Sequence, residues 1–142
     1  MKKTKKRLKG KTMKPITFAI AGCGNRGTKY AAKLLDHPDT AEIAAIADNR
    51  AVRTAAIQRH IHLPENRVFD GIESLLEQPR LADVLIIATQ DAQHKDHAIA
   101  ALKKGYHLIL EKPVSNRLEE CAQIAQVAKE CDRHVLVCHV LR

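Results

Sequence analysis

Aromatic residues are scarce in this 142-residue chain, which has two Phe, two Tyr and no Trp. Proteins that bind single-stranded nucleic acid through base stacking depend on aromatic side chains, so this composition gives that class little support. The core must instead be built from Ala, Ile, Leu and Val, which suits helices packed on a parallel sheet. With 45% hydrophobic residues, a chain of this length fits one ordinary domain.

Acidic residues are absent from the first 14 positions, where eight residues are Lys or Arg. The formal net charge of +8 therefore lies entirely in this segment, because 16 basic residues balance 16 acidic ones from Pro15 onward. We predict a basic, disordered tail at residues 1–14 and a folded domain at residues 15–142. A nucleic-acid or anionic-surface role for the tail is the alternative to a solvated leader. We expect no nucleic-acid partner.

Paired cysteine motifs are also missing, since none of the four cysteines forms a C-x-x-C pair. Thiols without a disulfide-like framework are typical of reduced, cytoplasmic proteins. The pairs His60/His62 and His94/His97 lack partners at metal-site spacing, so we predict no metal site. The cysteines are Cys23, Cys121, Cys131 and Cys138.

Strand-like apolar runs alternate with helix-like periodicity along the chain. The segment 83–88 is apolar without alternation, as in a buried strand, whereas Gly27, Tyr30, Ala31 and Leu34 share one helix face. The predicted order is β-α-β-α-β-α-β-α-β-α-β. Such an order requires right-handed crossovers and a parallel sheet covered on both faces. The predicted fold class is α/β, a doubly wound, mostly parallel Rossmann sheet of about six strands.

Two helix boundaries are marked by local signals. Gly105 follows an apolar stripe and is expected to end that helix. Asn116, with Glu119 three residues later, resembles a capping box and predicts the start of a long helix that ends near Cys131.

The stretch AIAGCGNRG, residues 19–27, contains G-x-G-x-x-G between a predicted strand and a predicted helix. Such a turn lets a dinucleotide pyrophosphate approach the backbone at a helix N-terminus. Asp48 ends the second predicted strand, 21 residues beyond the last glycine, where an acid can accept hydrogen bonds from both ribose hydroxyls. The predicted cofactor contacts at this end are Gly22, Gly24, Asn25, Arg26, Gly27, Asp48 and Asn49.

The choice between NAD and NADP depends on two neighbouring residues. Asp48 would repel a 2′-phosphate, which favours NAD. Arg50 could pair with such a phosphate, which leaves NADP as the alternative.

The same stretch also resembles a lipoprotein cleavage box, Ile20–Cys23, behind a basic N-terminus. Its apolar segment, residues 15–22, is only about the minimum length of a signal-peptide core. Cleavage before Cys23 would also remove the first predicted strand and the first fingerprint glycine. We therefore predict a cytoplasmic protein without a membrane partner.

Beyond the fingerprint, residues 88–115 read ATQDAQHKDHAIAALKKGYHLILEKPVS. This segment resembles a motif of the glucose–fructose oxidoreductase/inositol dehydrogenase/MocA (Gfo/Idh/MocA) family, A-T-P-[ND]-x-x-H-x-x-x-A-x-x-A-L-x-x-G-K-H-V-L-x-E-K-P. Gln90 replaces the usual proline and Tyr106 the usual lysine. The residues that match in register are Thr89, Asp91, His94, Ala98, Ala101, Leu102, Gly105, His107, Glu111, Lys112 and Pro113.

The resemblance implies roles for several of these residues. Thr89 and Asp91 are expected to border an NAD(P) cofactor, with His94 also among its contacts. Glu111 is expected near the nicotinamide ribose. Lys112 is expected to be catalytic, hydrogen-bonding the substrate hydroxyl during hydride transfer, and the Lys112–Pro113 bond is expected to be cis.

The resemblance also implies a second domain that this sequence does not include. In the family a second α/β domain carries the substrate pocket and a D-x-x-x-H pair, and this chain stops where that domain should begin. We therefore expect the dinucleotide-binding domain of an oxidoreductase acting on a sugar, polyol or related hydroxy compound, with little activity alone and with homo-oligomer formation open. The alternatives are the cofactor domain of an NAD-dependent glycosidase and a stand-alone nucleotide-binding or regulatory module.

Overall fold

The computed structural model describes residues 13–139. Most of the predicted basic tail, and any role for it, lies outside the described residues. The strands are β1 (Ile16–Ala21), β2 (Ala41–Ala47), β3 (Val68–Phe69), β4 (Val84–Ile87), β5 (His107–Glu111) and β6 (Val135–Cys138). The helices are α1 (Asn25–Leu35), α2 (Ala51–Ile61), α3 (Ile72–Glu77), α4 (His94–Lys103) and α5 (Leu118–Glu130).

The six strands form one parallel sheet in the order β3-β2-β1-β4-β5-β6. This confirms the predicted doubly wound fold and the predicted alternation of strands and helices. The chain winds outward from β1 to β3 and then crosses back to β4, so the winding direction reverses between β1 and β4. In such sheets ligands bind at the carboxyl ends of the strands, beside that reversal.

Two apolar clusters cover the two faces of the sheet. On one face, the central strands contribute Ile20, Ile46 and Ile86, which pack with Ala31 of α1 and Ile57 of α2. The other cluster is larger and packs β4 and β5 against α3, α4 and α5. Its members include Leu75, Leu85, Leu102, Leu108 and Ile124. The aliphatic core expected from the scarcity of aromatics is therefore present on both faces.

The two predicted helix boundaries have different outcomes. Gly105 adopts a left-handed φ of +93° just after α4, which confirms the predicted end of that helix. The capping box at Asn116 is wrong, because α5 is preceded by Arg117 in an extended conformation without a side-chain cap. The Ser115 hydroxyl accepts a 3.0 Å hydrogen bond from the Arg117 N–H, which delays the start of the helix.

Within residues 13–139, none of the helices combines the length and the apolar character needed to cross a bilayer.

Candidate functional site

The turn after β1 requires glycine at two positions. Gly22 has a φ of +91°, and a Cβ placed on it would lie 2.3 Å from the carbonyl oxygen of Ala88. Gly27 lies in the first turn of α1, where an added Cβ would lie only 1.8 Å from the Gly22 carbonyl oxygen. The glycines therefore bring α1 close to the carboxyl end of β1.

A groove of about 510 Å³ opens at the carboxyl ends of β1, β2 and β4. Four residues of the predicted site line it: Gly22, Asp48, Asn49 and Thr89. Its walls also include Arg50, Arg53, Gly71, Ile72, Glu73, Gln90, Gln93 and His97. The groove lies beside the reversal in winding direction, where a doubly wound sheet binds nucleotides.

Asp48 joins the second strand to the glycine turn. Its carboxylate, 6% exposed, accepts hydrogen bonds from the backbone N–H groups of Cys23 and Arg50, both at 2.8 Å. The Arg53 guanidinium lies 3.6 Å from the same carboxylate. Because each carboxylate oxygen has two lone pairs, Asp48 retains capacity to accept hydrogen bonds from a ligand.

Cys23, between the first two glycines, is 2% exposed, and its thiol donates to the Ala47 carbonyl oxygen at 3.5 Å. Burial, and then the neighbouring negative charge of Asp48, raise the pKa of this thiol to about 12. A thiol with so high a pKa has almost no thiolate at neutral pH and reacts slowly with electrophiles.

We expect iodoacetamide to alkylate Cys23 in the folded protein at least about a hundredfold more slowly than the partly exposed Cys121. Peptide mass spectrometry over a time course at pH 8 measures both rates, and a urea-unfolded sample is the control in which the rates should converge. Equal rates in the folded protein would contradict the buried thiol.

Thr89 ends a short hydrogen-bonded chain in the groove wall. The ring of His97 donates from Nε2 to the Glu73 carboxylate at 3.0 Å, and Nδ1 lies 3.2 Å from the Thr89 hydroxyl. The backbone N–H of Glu73 and then His97 lower the pKa of that carboxyl, which therefore stays an acceptor. In the neutral tautomer that donates from Nε2, Nδ1 is an acceptor, so the Thr89 hydroxyl donates to His97 and keeps its lone pairs for a ligand donor.

His94 lies behind the groove instead of facing it. Its ring is fully buried, with Nδ1 2.8 Å from the Pro113 carbonyl oxygen and Nε2 3.1 Å from the Thr89 carbonyl oxygen. A fully buried ring is out of reach of a ligand, which differs from the expected cofactor contact. His94 instead ties the turn that carries Thr89 to the turn that carries Pro113.

Glu111 forms a second polar group at the end of β5. Its buried carboxylate accepts hydrogen bonds from Arg26 Nε, at 3.0 Å, and from the Tyr30 hydroxyl. Burial alone would raise the pKa of Glu111, but the hydrogen bonds from Tyr30 and Arg26 outweigh it and lower that pKa. An ionised Glu111 therefore connects β5 to the first turns of α1.

The remaining predicted residues are on the surface. Lys112 is exposed directly after β5, and the Lys112–Pro113 bond is cis, as expected. Asp91 is exposed at the start of a 3-10 turn, and Asn25 is the exposed first residue of α1. Among residues 13–139, no three side chains of the metal-ligating types converge.

A model of an oxidoreductase family with an NAD-binding Rossmann fold, the Gfo/Idh/MocA family, matches residues 16–139. The chain belongs to this family. It is therefore an NAD(P)-binding domain of the Gfo/Idh/MocA type, which confirms the resemblance of residues 88–115 and the predicted cofactor class.

Relatives of this Gfo/Idh/MocA domain include enzymes named for different reactions. The NADP⁺-dependent scyllo-inositol 2-dehydrogenase IolW of Bacillus subtilis is 28% identical, with 81% of this chain and 30% of the relative covered. A glycosyl hydrolase family 109 protein of Phocaeicola vulgatus is also 28% identical, with 86% and 30% covered. This chain spans about a third of the length of the curated relatives it matches.

A solved structure of the same fold contains both a dinucleotide and a sugar nucleotide. The WlbA dehydrogenase of Bordetella pertussis, crystallised with NADH and UDP-GlcNAcA, has a TM-score of 0.79 and 26% identity. The alignment covers 88% of this chain and 37% of that chain.

The site predicted from the sequence does not include three residues that the structure places there: Arg53, Tyr30 and His97. Arg53 follows Asp48 by five residues, and a search for basic groups in the first turn after the second strand would have found it. Tyr30 and His97 lie on helix faces whose neighbours come from distant segments, and no local signal marks them.

Proposed function

We propose that this chain is the cofactor domain of an NAD(P)-dependent oxidoreductase that transfers hydride to or from a sugar, polyol or related hydroxy compound. The observation that carries the proposal is the bond between the Asp48 carboxylate and the Cys23 N–H. It sets the acid at the end of β2 beside the glycine turn, at one end of an open groove. Rossmann domains hold an adenosine ribose and its pyrophosphate with these two features.

The proposed cofactor contacts keep the predicted set except His94. Gly22, Gly24, Asn25, Arg26 and Gly27 would face the pyrophosphate, since α1 begins there with free N–H groups that favour anions. Asp48 and Asn49 would contact the adenosine ribose. Thr89, Asp91 and Glu111 would border the nicotinamide end.

Lys112 is the proposed catalytic residue. The nicotinamide, when bound, supplies the hydride donor or acceptor. An exposed lysine at the carboxyl end of β5 can donate a hydrogen bond to a substrate hydroxyl oxygen and polarise it as the C–H bond breaks or forms. We further propose that a second domain supplies the substrate walls, because the matched relatives are about three times longer than this chain.

The other proposals follow from composition. We propose no nucleic-acid and no membrane partner, because the chain from Pro15 onward has balanced charge. A cytoplasmic location agrees with four free cysteines.

Cofactor binding is tested by calorimetric titration of the chain with NADH and with NADPH. We expect saturable binding of at least one of them, and loss of at least about tenfold in NADH affinity for Asp48→Ala, because hydrogen bonds to a charged acceptor are worth about 1.5–3 kcal/mol. Asp39→Ala, an exposed acid in the loop before β2, is the control. Absence of saturable binding for both dinucleotides would refute the cofactor-domain proposal.

A second candidate is the cofactor domain of an NAD-dependent glycosidase, favoured by the glycosyl hydrolase family 109 names among the relatives. Both candidates require the second domain, whereas a stand-alone regulatory module does not. Sequencing the gene beyond the Arg142 codon separates them: an immediate stop codon would contradict both enzymes. If an open frame continues, assays of the full product for glycoside cleavage and for net NADH formation separate the two enzymes.

A further inference from the structure

His97 connects α3 to the turn that holds Thr89, inside the wall of the groove. Its side chain is 10% exposed, whereas that of Glu73 is 69% exposed. The imidazole therefore lies between a solvated carboxylate, 3.0 Å from Nε2, and the Thr89 hydroxyl, 3.2 Å from Nδ1. Because a neutral imidazole has one donor and one acceptor nitrogen, the contact at Nε2 determines what Nδ1 offers to Thr89.

The Glu73 carboxylate selects one of the two neutral tautomers of His97. Hydrogen bonds from its own backbone N–H and from His97 lower the pKa of this carboxyl, so it is ionised and only accepts. With the proton on Nδ1, the lone pair of Nε2 would face an anionic oxygen at 3.0 Å, which is repulsive. With the proton on Nε2, the same contact is a hydrogen bond to a charged acceptor. Nδ1 is then the nitrogen that accepts from Thr89.

Thr89 has one hydroxyl proton, and the hydrogen bond to His97 uses it. The hydroxyl oxygen then presents lone pairs to the groove and no proton. A phosphate oxygen, which only accepts, forms no hydrogen bond there, whereas a hydroxyl or an amide N–H can donate to it. A Cβ placed on Gly22 would lie 2.9 Å from the backbone nitrogen of Thr89, so this residue lies beside the glycine turn.

We propose that His97 is a positioning residue for the cofactor: it holds the Thr89 hydroxyl as an acceptor, so that this part of the groove binds a ligand hydroxyl or amide N–H in preference to a phosphate oxygen. The inference rests on the proposed function, because the ligand is the same dinucleotide. A dinucleotide has both kinds of donor, in its ribose hydroxyls and in its carboxamide. Since the Thr89 hydroxyl is oriented before the ligand arrives, less rotational freedom is lost on binding.

A purely structural role for His97 would be to tie α4 to α3. In that case its removal would lower the thermal midpoint, and any loss of NADH affinity would be independent of the Thr89 hydroxyl. The two roles therefore differ in the coupling between positions 97 and 89, which a double-mutant cycle measures.

The first experiment titrates NADH into wild type, His97→Leu, Thr89→Val and the double variant by calorimetry at about pH 8, where a free imidazole is neutral. His97→Asn is included because its amide oxygen is an acceptor close to the place of Nδ1. His60→Leu, at an exposed position near the end of α2, is the control. Thermal midpoints establish that each variant is folded.

We expect His97→Leu and Thr89→Val each to weaken NADH about three- to tenfold, the range of one net hydrogen bond. The double variant should stay within about twofold of Thr89→Val, because His97 acts through the hydroxyl that valine lacks. His97→Asn and His60→Leu should stay within about twofold of wild type, because the first keeps the acceptor and the second lies outside the groove.

The 3-acetylpyridine analogue of NADH identifies the ligand donor, because it lacks the carboxamide N–H. If His97→Leu weakens the analogue as much as it weakens NADH, the donor is a ribose hydroxyl. If the analogue is unaffected, the donor is the carboxamide. Both results support the inference.

A second measurement needs no ligand. Long-range ¹H–¹⁵N correlation spectra show which ring nitrogen of a histidine holds the proton, and the signals that His97→Asn removes are those of His97. We expect the Nε2–H form in wild type. Glu73→Gln should raise the Nδ1–H fraction, because an amide can donate to Nε2.

Three results would overturn the inference. If the Nδ1–H form predominates in wild type, Thr89 accepts from His97 and the inference fails, while saturable NADH binding would still support the proposed function. If His97→Leu weakens NADH equally with and without the Thr89 hydroxyl, His97 is only a structural residue. If wild type binds neither NADH nor NADPH, the proposed function fails together with the inference.

Discussion

Gly27→Ala should strongly destabilise the native fold of this domain. The added methyl would lie 1.8 Å from the carbonyl oxygen of Gly22 and 2.9 Å from its carbonyl carbon. Both are backbone atoms of the same turn, so relief requires α1 to move away from β1. We expect a loss of at least about 4 kcal/mol, a large part of the roughly 5–15 kcal/mol that stabilises a typical domain. Thermal unfolding followed by circular dichroism measures it.

Gly24→Ala is the matched control, because it adds the same methyl group three residues earlier. The nearest atoms to that Cβ are Arg53 Nη1 at 3.5 Å and Cζ at 3.7 Å, the mobile end of a side chain. This variant should fold with a midpoint within about 3 °C of wild type, a change of about 1 kcal/mol or less. A Gly27→Ala midpoint as close to wild type as this would contradict the close approach of α1 to β1.

His94→Leu should produce the second largest loss. The substitution removes the ring nitrogens that lie 2.8 Å and 3.1 Å from the carbonyl oxygens of Pro113 and Thr89. A neutral imidazole donates to only one of these two oxygens, and depriving one buried acceptor of its donor costs about 1–3 kcal/mol. The thermal midpoint should fall by roughly 3–10 °C. NADH affinity of the folded fraction should also fall, because Thr89 lines the groove.

The control for His94→Leu is His60→Leu, an equal change of side chain at an exposed position near the end of α2. His94→Asn, which keeps one donor, should have an intermediate midpoint. If His94→Leu unfolds at the same temperature as His60→Leu, the ring does not hold the two turns together.

The fold was predictable because its signals are local. Each strand of the sheet is a short apolar run, and the glycine turn is identified by the spacing of its three glycines. Asp48 could be placed because parallel strands that follow one another bring their carboxyl ends to the same edge. The strand order was not predicted, because right-handed crossovers are compatible with more than one order of strands in a doubly wound sheet.

The site was less predictable because several of its contacts join distant segments. Arg26 reaches Glu111 across 85 positions, and His97 reaches Glu73 across 24. A family motif shows that a histidine recurs at position 94, but it does not show which way the ring faces. That direction depends on the packing of α4 against the turns beside it. The motif therefore led us to expect His94 at the cofactor, whereas its ring is buried.

The start of α5 shows the same difficulty at a smaller scale. Asn116 and Glu119 have the spacing of a capping box, but the Ser115 hydroxyl instead accepts from the Arg117 N–H and donates to the Glu120 carboxylate, which is a different local pattern. A choice between two local hydrogen-bonding patterns depends on the path of the preceding turn, which begins at Pro113. Sequence spacing alone does not contain that path.

The hydrogen bonds around Glu111 mean that the proposed pyrophosphate contacts and the region beside Lys112 cannot be redesigned separately. Arg26 belongs to the helix proposed to face the pyrophosphate, while Glu111 directly precedes Lys112. Replacing Arg26 to alter phosphate binding would also remove one of the hydrogen-bond donors to the buried carboxylate of Glu111. Because Glu111 directly precedes Lys112, the change would also affect the position of Lys112. A library that changes phosphate binding should therefore leave Arg26, Tyr30 and Glu111 unchanged as one unit.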